Sequence, residues 1–393
     1  MHVLAPTTPD DLCAVISDAA RSGMRLTISG GGSKSDIGKP CDVTRLDMRG
    51  FAGVIDYDPA ELVLTVGAGT PLAEVESLLA ERRQMLAFEP WDHGPLFGKL
   101  AGATTIGGVI AAGVAGPGRL AKGGARDHLL RFEAVSGRGE RFVGGAKVVK
   151  NVTGYDVPKL MAGSWGRLAA MTQVTLKVLP SPRASATMVI EGLSSVQAHA
   201  AMTQAMGSHA EVSAAAHVPA ALGAEERSMT ALRIEGFEPS VAARCTLLLD
   251  VLRDHGGTLY KLAAMQAKSF WRSVREVAPL MDSATLWRIC VPPSGGCAVV
   301  AALEPLGARW LFDWAGGLVW LAFDGEAEHI RRIAERAGGH AMLIRAPAAT
   351  RAVVPAHHPP SFPVAALEAR VRRAFDPQGI FETGRFLDPI NAD

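Results

Sequence analysis

The chain has almost no net charge: 40 Lys and Arg stand against 39 Asp and Glu, a formal balance of +1 over 393 residues. That leaves no field to draw in nucleic acid or an anionic membrane surface. Cysteine is scarce as well. The five cysteines, Cys13, Cys41, Cys245, Cys290 and Cys297, have an odd count and no C-x-x-C spacing, so neither a disulfide framework nor a thiolate metal site is expected. Cys290 and Cys297 lie close, with P-P-S-G-G between them, but no histidine joins them as an iron–sulfur or zinc ligand would. Residues 1–10 lack a basic stretch followed by an apolar core, which argues against a signal peptide and for the cytoplasm. No internal repeat is visible. One long uncharged stretch runs between Lys99 and Arg119, but six glycines and a proline fall within residues 102–118, a poor composition for a spanning helix.

What is abundant is glycine in clusters. Residues 29–38 read S-G-G-G-S-K-S-D-I-G after a short apolar strand, 25–28. Gly30, Gly31 and Gly32 remove every Cβ from one side of a turn, so backbone N–H groups can approach a ligand closely, and a pyrophosphate fits that description. Ser33 adds a hydroxyl donor and Lys34 a positive charge. A plain tight turn is the alternative for this loop taken alone. Residues 102–118 and 144–166 supply two further glycine-marked runs. Two familiar phosphate motifs fail. Gly67-Ala68-Gly69 has Leu72 where the third dinucleotide-fold glycine belongs, Ser35 stands in that place after the first loop, and Ser33 rather than glycine precedes Lys34, which excludes a Walker loop.

In order, G-G-G-S-K, V-G-A-G-T-P-L-A-E-V at 66–75, T-I-G-G-V-I-A-A-G with the following G-P-G-R, R-D-H-L-L at 126–130, and K-N-V-T-G-Y-D at 150–156 with A-G-S-W-G resemble the flavoproteins of the vanillyl-alcohol oxidase and p-cresol methylhydroxylase type. Within that family the chain is most similar to the branch of the FAD-binding E subunit of bacterial glycolate oxidase. The motifs cover about the first 180 residues, and F-D-P-Q-G-I-F-E-T-G-R at 375–385 is a family-like ending, with Glu382-Thr383 where relatives commonly carry Asn-Pro. The resemblance implies an α+β fold: a two-subdomain FAD-binding domain of the p-cresol methylhydroxylase type over 1–182, a smaller α+β cap or substrate-type domain over 183–350, and a linker and C-terminal segment, 351–393, that returns to the first. It also implies non-covalent FAD, since relatives that tether the flavin at this loop use histidine where Ser33 and Lys34 stand. Gly30, Gly31, Gly32, Ser33 and Lys34 would hold the pyrophosphate, Thr104, Thr105, Gly107 and Gly108 the ribityl chain and ring edge, and Gly163, Ser164 and Gly166 the remaining wall.

The local pattern supplies the elements. Asp10 is placed to cap a helix whose Leu12, Val15, Ile16, Ala19 and Ala20 fall at helical spacing before Gly23. Residues 54–57 and 62–66 read as a strand pair, Thr70-Pro71 as the start of a helix capped by the threonine hydroxyl, 132–143 as a hairpin, and 168–179 as one long strand. Pro180-Ser181-Pro182 is the best domain boundary, because prolines interrupt helix and sheet alike. Trp310, Phe312 and Trp314 alternate before Gly316-Gly317, and Leu318, Trp320 and Ala322 after it, which predicts a hairpin with a two-residue turn. Residues 347–363 read as a linker or surface loop, with His357 and His358 solvent-exposed rather than metal-bound. A helix over 364–375 follows.

For chemistry, Tyr155 beside Asp156, near Lys150, is a candidate proton-transfer pair in alcohol oxidation. A buried structural pair locking the loop is the alternative reading. The histidine-rich G-D-G-N-x-H and E-H-G motifs of related catalytic dehydrogenases are absent. The resemblance therefore implies an FAD-bearing subunit of a glycolate-oxidising complex, beside a sister catalytic FAD-binding subunit and an iron–sulfur subunit, acting on a small 2-hydroxy acid. Any membrane association would run through those partners. A self-sufficient FAD oxidoreductase for another alcohol or hydroxy acid, and a scaffold that has lost its flavin, stay open as alternatives.

Overall fold

Thr8 starts the first helix, Pro9–Ser22, by a reciprocal capping box: its hydroxyl accepts from the Asp11 amide at 3.1 Å, and the Asp11 carboxylate accepts from the Thr8 amide at 3.2 Å. Asp10, expected as the cap, sits inside the first turn, where its charge suits the positive end of the helix dipole. Gly23 ends the helix at φ 70°, left-handed backbone that glycine adopts without strain. Leu12, Ile16 and Ala19 are buried with Leu26, Leu46, Val135, Ala170, Ile380 and Phe381, so this one helix ties together strands far apart in the chain. Truncating Leu12 to alanine would cost about 3 kcal/mol on that account.

The computed structural model describes residues 2–147, 154–223 and 226–386; Lys150 lies outside them. The chain divides into two compact units. The first takes Met1–Ala115, Gly123–Ser181 and Pro359–Asp393. Its strands β1 (Val3–Leu4), β2 (Leu26–Ser29) and β3 (Thr44–Asp47) form a parallel sheet in the order 1-3-2. β4 (Val54–Asp58), β5 (Val63–Gly67), β7 (Leu129–Ser136), β8 (Arg141–Gly145) and β9 (Ala169–Lys177) form an antiparallel sheet in the order 4-5-9-7-8. β6 (Gln84–Met85) pairs with β10 (Leu179–Pro180). Because β5 is antiparallel to both neighbours, the strand, glycines and helix at 62–81 are no dinucleotide-binding βαβ unit. Pro71 precedes the helix Leu72–Glu81 without a side-chain cap. The Thr70 hydroxyl is used elsewhere: it donates to the Gly67 carbonyl at 2.7 Å and accepts from the Gly53 amide at 3.0 Å.

The second unit takes Gly116–Lys122 and Pro182–His358. The division falls between Ser181 and Pro182, inside the Pro-Ser-Pro triplet, and the chain returns to the first unit after His358. An eight-stranded antiparallel sheet runs through the unit in the order 14-11-13-12-16-17-15-18. Its members are β11 (Ala184–Glu191), β12 (Ala214–Val218), β13 (Met229–Gly236), β14 (Thr258–Lys261), β15 (Leu286–Cys290), β16 (Arg309–Asp313), β17 (Leu318–Ala322) and β18 (His340–Arg345). The helices Ser195–Met206 and Glu238–Leu252 follow β11 and β13, and Gly296–Leu303 and Ala327–Arg336 follow β15 and β17. The unit is thus a β-α-β-β-α-β motif used twice. Each copy has the strand order 4-1-3-2, and the copies meet through the antiparallel pair β12–β16, where His217 faces Phe312.

This topological repeat corrects the expectation of no internal repeat. The two copies fill a common core with different side chains, Met188, Ile190 and Leu232 in the first, Trp287, Trp310 and Phe312 in the second. Two further corrections follow from packing. β16 and β17 are joined by four residues, Trp314 to Gly317, with Trp314 at φ 51° in a 3₁₀ turn instead of on the strand. Residues 347–363 contain the helix Ala348–Val353, and His358 is half-buried: Nδ1 accepts from the Ala341 amide at 3.3 Å and Nε2 lies 3.0 Å from Glu335. Among the described residues no helix is long and apolar enough to cross a membrane, and no cluster of His, Cys, Asp and Glu could hold a metal ion.

Candidate functional site

The carboxyl end of β2 releases the glycine loop, and the structure brings residues 30–34, 103–113 and 163–166 of the first unit into one ring. A Cβ added to Gly31 would stand 1.5 Å from the Ala103 carbonyl oxygen, and one on Gly30 would stand 2.1 Å from Thr105 Oγ1. Only glycine permits this approach. Thr104 Oγ1, whose proton goes to Asp92, accepts across the same gap from Ser33 Oγ at 2.7 Å. Thr105 caps the helix Ile106–Ala112, which contains Gly107 and Gly108; the Gly107 amide reaches back to the Ala68 carbonyl at 2.8 Å. The far end of that helix accepts the third run: Gly163 N donates to Ile110 O at 3.0 Å and Trp165 N to Ala111 O at 2.8 Å, with Ser164 between them. A Cβ on Gly166 would meet the Ile28 side chain at 3.3 Å, back on β2. Every glycine, serine, threonine and lysine expected at the cofactor is therefore on this ring.

The loop is poised for an anion. Among the described residues the amide N–H groups of Gly31, Gly32, Ser33 and Lys34 donate to no protein acceptor. Lys34 is buried, and among the described residues no carboxylate lies within ion-pair distance of it; Nζ reaches Ser33 Oγ at 3.2 Å. Burial lowers its pKa to about 8, opposed by the attraction of Asp92 and reinforced by the repulsion of Arg385. A desolvated ammonium beside unsatisfied amides and two buried hydroxyls is what a phosphate group would neutralise. The donor set thus fits a pyrophosphate.

Three residues that sequence reasoning missed hold this cradle in shape. Asp92 accepts from the Gly94 amide at 2.8 Å, the Gly102 amide at 2.7 Å and Thr104 Oγ1 at 2.5 Å, which fixes the turn leading into the second run. An aspartate two residues ahead of a glycine was the available signal. Lys99 Nζ donates to Gly32 O at 3.1 Å and pairs with Asp36 at 2.7 Å. Arg385 Nε donates to Ile37 O at 2.7 Å, and its Nη2 to Lys34 O. The Arg385 carbonyl in turn accepts from Lys39 N at 2.8 Å. The chain's ending is joined to its first loop by these bonds. Asp376 anchors that ending, accepting from Ile380 N at 3.0 Å and Phe381 N at 2.8 Å. Glu382, at the departure from the Asn-Pro of relatives, pairs with Arg167 at 2.8 Å and Arg372 at 2.9 Å.

Tyr155 and Asp156 are not brought into the ring's hydrogen bonds. Tyr155 is 96% exposed. Asp156 caps the short helix Val157–Met161 and pairs with Lys159 at 2.8 Å, contacts that hold its carboxyl below the usual range. This corrects the buried structural pair, and it leaves the proton-transfer pair without a dry pocket. The reason is local: Pro158 at the start of the helix favours a capping role for Asp156.

A ring of small residues, with free amides and a buried cation at one side, suits a dinucleotide cofactor. Residues 1–144 match the family model described as "FAD binding domain". The whole chain superposes on the crystal structure of p-cresol methylhydroxylase with substrate bound, at a TM-score of 0.70 and 13% identity, covering 100% of this chain and 89% of that one. The fold is that one, and FAD is the cofactor. Over 372 residues, 94% of this chain and 95% of the relative, the sequence is 35% identical to glycolate oxidase subunit GlcE of Escherichia coli (strain K12). It is 28% identical to D-lactate dehydrogenase of Archaeoglobus fulgidus over 48% of this chain and 41% of that protein. The chain belongs to the GlcE family of FAD-linked oxidoreductase subunits.

Proposed function

We propose that this protein is the FAD-binding subunit of a 2-hydroxy-acid dehydrogenase complex that oxidises glycolate to glyoxylate in the cytoplasm, accessory to a sister catalytic flavoprotein and an iron–sulfur subunit. The observation that carries the proposal is end-to-end similarity to a glycolate oxidase subunit, joined to a glycine loop whose amides and Lys34 are ready for a pyrophosphate. Bound FAD supplies a two-electron acceptor for the alcohol carbon. The chain's own residues do the placing. Gly30 to Lys34 hold the pyrophosphate, Thr104, Thr105, Gly107 and Gly108 lie along the ribityl chain and ring edge, and Gly163, Ser164 and Gly166 complete the wall. Ser33 and Lys34 occupy the loop position where a tethering histidine would stand, which supports non-covalent binding.

The exposure of Tyr155 and the engagement of Asp156 by Lys159 support placing the principal proton transfer on the sister subunit. The test is to purify the chain alone and with its co-purifying partners and to add glycolate or D-lactate without oxygen. Alone, the protein should be yellow and bleach slowly or not at all, and with a flavoprotein and an iron–sulfur protein attached it should bleach promptly. Rapid, complete bleaching of the isolated chain would make it a self-sufficient dehydrogenase, and a colourless folded chain that takes up no FAD would make it a scaffold.

A further inference from the structure

The helix Phe362–Phe375 of the first unit has little packing beneath it. Of its 14 residues only Ala365 is buried. A helix this short is marginal in water by itself, and most helices are held by an apolar face laid on the core. This one is held at its end instead: the Phe375 carbonyl accepts from the Gly137 amide at 3.0 Å, and the Ala374 carbonyl accepts from Arg138 Nη2 at 3.2 Å.

Its apolar stripe points outward. Val364, Leu367, Val371 and Ala374 recur at alternating steps of three and four residues, the spacing of a coiled-coil seam. Val364 is 47% exposed and Leu367 58%, Val371 is half-buried and Ala374 is exposed. The flanks of the seam differ in charge. On one, Glu368 is engaged by Arg372 at 3.4 Å, and Arg372 also reaches Glu382 at 2.9 Å. On the other, Arg370 and Arg373 are exposed, and among the described residues neither pairs with a carboxylate. Such a seam is complemented by a helix that is apolar along one stripe and acidic beside it.

A second copy of this chain is a poor occupant. Antiparallel copies bring like flanks together and set Arg370 against Arg370, while parallel copies set Arg370 against Phe375, which carries no charge. A flavoprotein of the same fold with acids on that flank would make the like-flanked, twofold arrangement attractive instead.

We propose that Val364, Leu367, Val371 and Ala374 form the docking seam for the sister flavoprotein, which supplies a helix with an apolar stripe and carboxylates facing Arg370 and Arg373. The proposal rests on the reading of the protein as a subunit of a flavoprotein complex and adds where on this chain that partner sits.

The test uses the complex as it co-purifies. With photoreactive benzoylphenylalanine in place of Leu367, illumination should join this chain to the flavoprotein subunit. Peptide mass spectrometry should then find the joined segment apolar at helical spacing with Asp or Glu beside it. Arg370→Glu combined with Arg373→Glu should weaken retention of that subunit about tenfold or more, and so should Leu367→Asp, both at unchanged flavin content of the isolated chain. Changing the partner's cross-linked carboxylates to lysine should restore binding to the double variant, a rescue that a misfolded helix would not permit. A cross-link to the iron–sulfur subunit, to a second copy of this chain or to nothing would overturn the seam, as would equal retention in parent and variants. Absence of any co-purifying flavoprotein from the parent chain would bring down the functional reading as well, whereas co-purification that survives all the substitutions would sink the seam alone.

Discussion

The two units reach order by opposite routes. In the first, the distinctive surface is made by taking side chains away: Gly30 and Gly31 let two loops approach closely, and the amides of residues 31–34 donate to no protein acceptor among the described residues. In the second, order comes from side chains put in, a core of Trp287, Trp310, Phe312, Leu232 and Ile190 behind a sheet that repeats one motif twice. A close backbone approach tolerates one residue type, so it leaves a mark in the sequence. A packed sheet tolerates many combinations of similar volume, so its repeat left none.

The largest expected effect sets these routes against each other. Gly31→Val should destabilise the protein by about 3 kcal/mol through overpacking against Ala103 and yield it without flavin. Leu232→Ala should cost about 3 kcal/mol as a cavity in the other core and leave the flavin in place. Thermal melts and the flavin-to-protein absorbance ratio check both, and equal flavin loss from the two variants would erase the distinction.

Lys34→Met comes next, and its two readouts should move in opposite directions. FAD affinity should fall roughly 10- to 100-fold as one charge-assisted contact is lost, while the flavin-free protein becomes no less stable, because an unpaired buried cation has gone. The pH dependence has the same form. With the Lys34 pKa at about 8 in the fold and 10.5 in the unfolded chain, the unfolded state binds more protons between those values. Stability of the flavin-free protein should therefore rise across that interval, while FAD affinity declines as the ammonium discharges. Calorimetry and flavin titration of parent and variant would check it.

Arg385→Ala removes the donor to the Lys34 and Ile37 carbonyls. It should loosen the loop by about 1–2 kcal/mol and lower FAD affinity several-fold, measured by the flavin off-rate. The smallest effect belongs to the other core. His217 is buried among Trp310, Phe312 and Thr230, and burial lowers its pKa to about 4 from 6.5. Its depressed value means the unfolded chain takes the proton first, so this contribution is complete above pH 6.5 and is lost as pH falls towards 4. In His217→Gln the melting temperature should drop less over that window, with flavin content unaffected.

The sequence was most readable where chemistry constrains the backbone. The glycines, Ser33, Lys34 and the threonines of the ring could be named from spacing and resemblance, and the Pro-Ser-Pro boundary from proline alone. Asp92, Lys99 and Arg385 could not, because an ordinary aspartate, lysine or arginine carries no sign of which distant carbonyl or amide it will meet. Arg385 and Lys34 are joined across some 350 positions, a contact to which no local pattern refers.

The sequence by itself determined the cofactor class, the amphipathic first helix and the stretches that had to turn tightly, since these depend on steric limits and short-range periodicity. Only the tertiary structure decided that the glycine runs close into a ring and that the second unit doubles one motif. It also decided that Trp314 leaves its strand for a 3₁₀ turn, with its ring within reach of Arg119 and Arg288. Those outcomes depend on which distant groups fill the same space and satisfy each other's charge and hydrogen bonds, and a linear pattern does not encode such pairings one residue at a time.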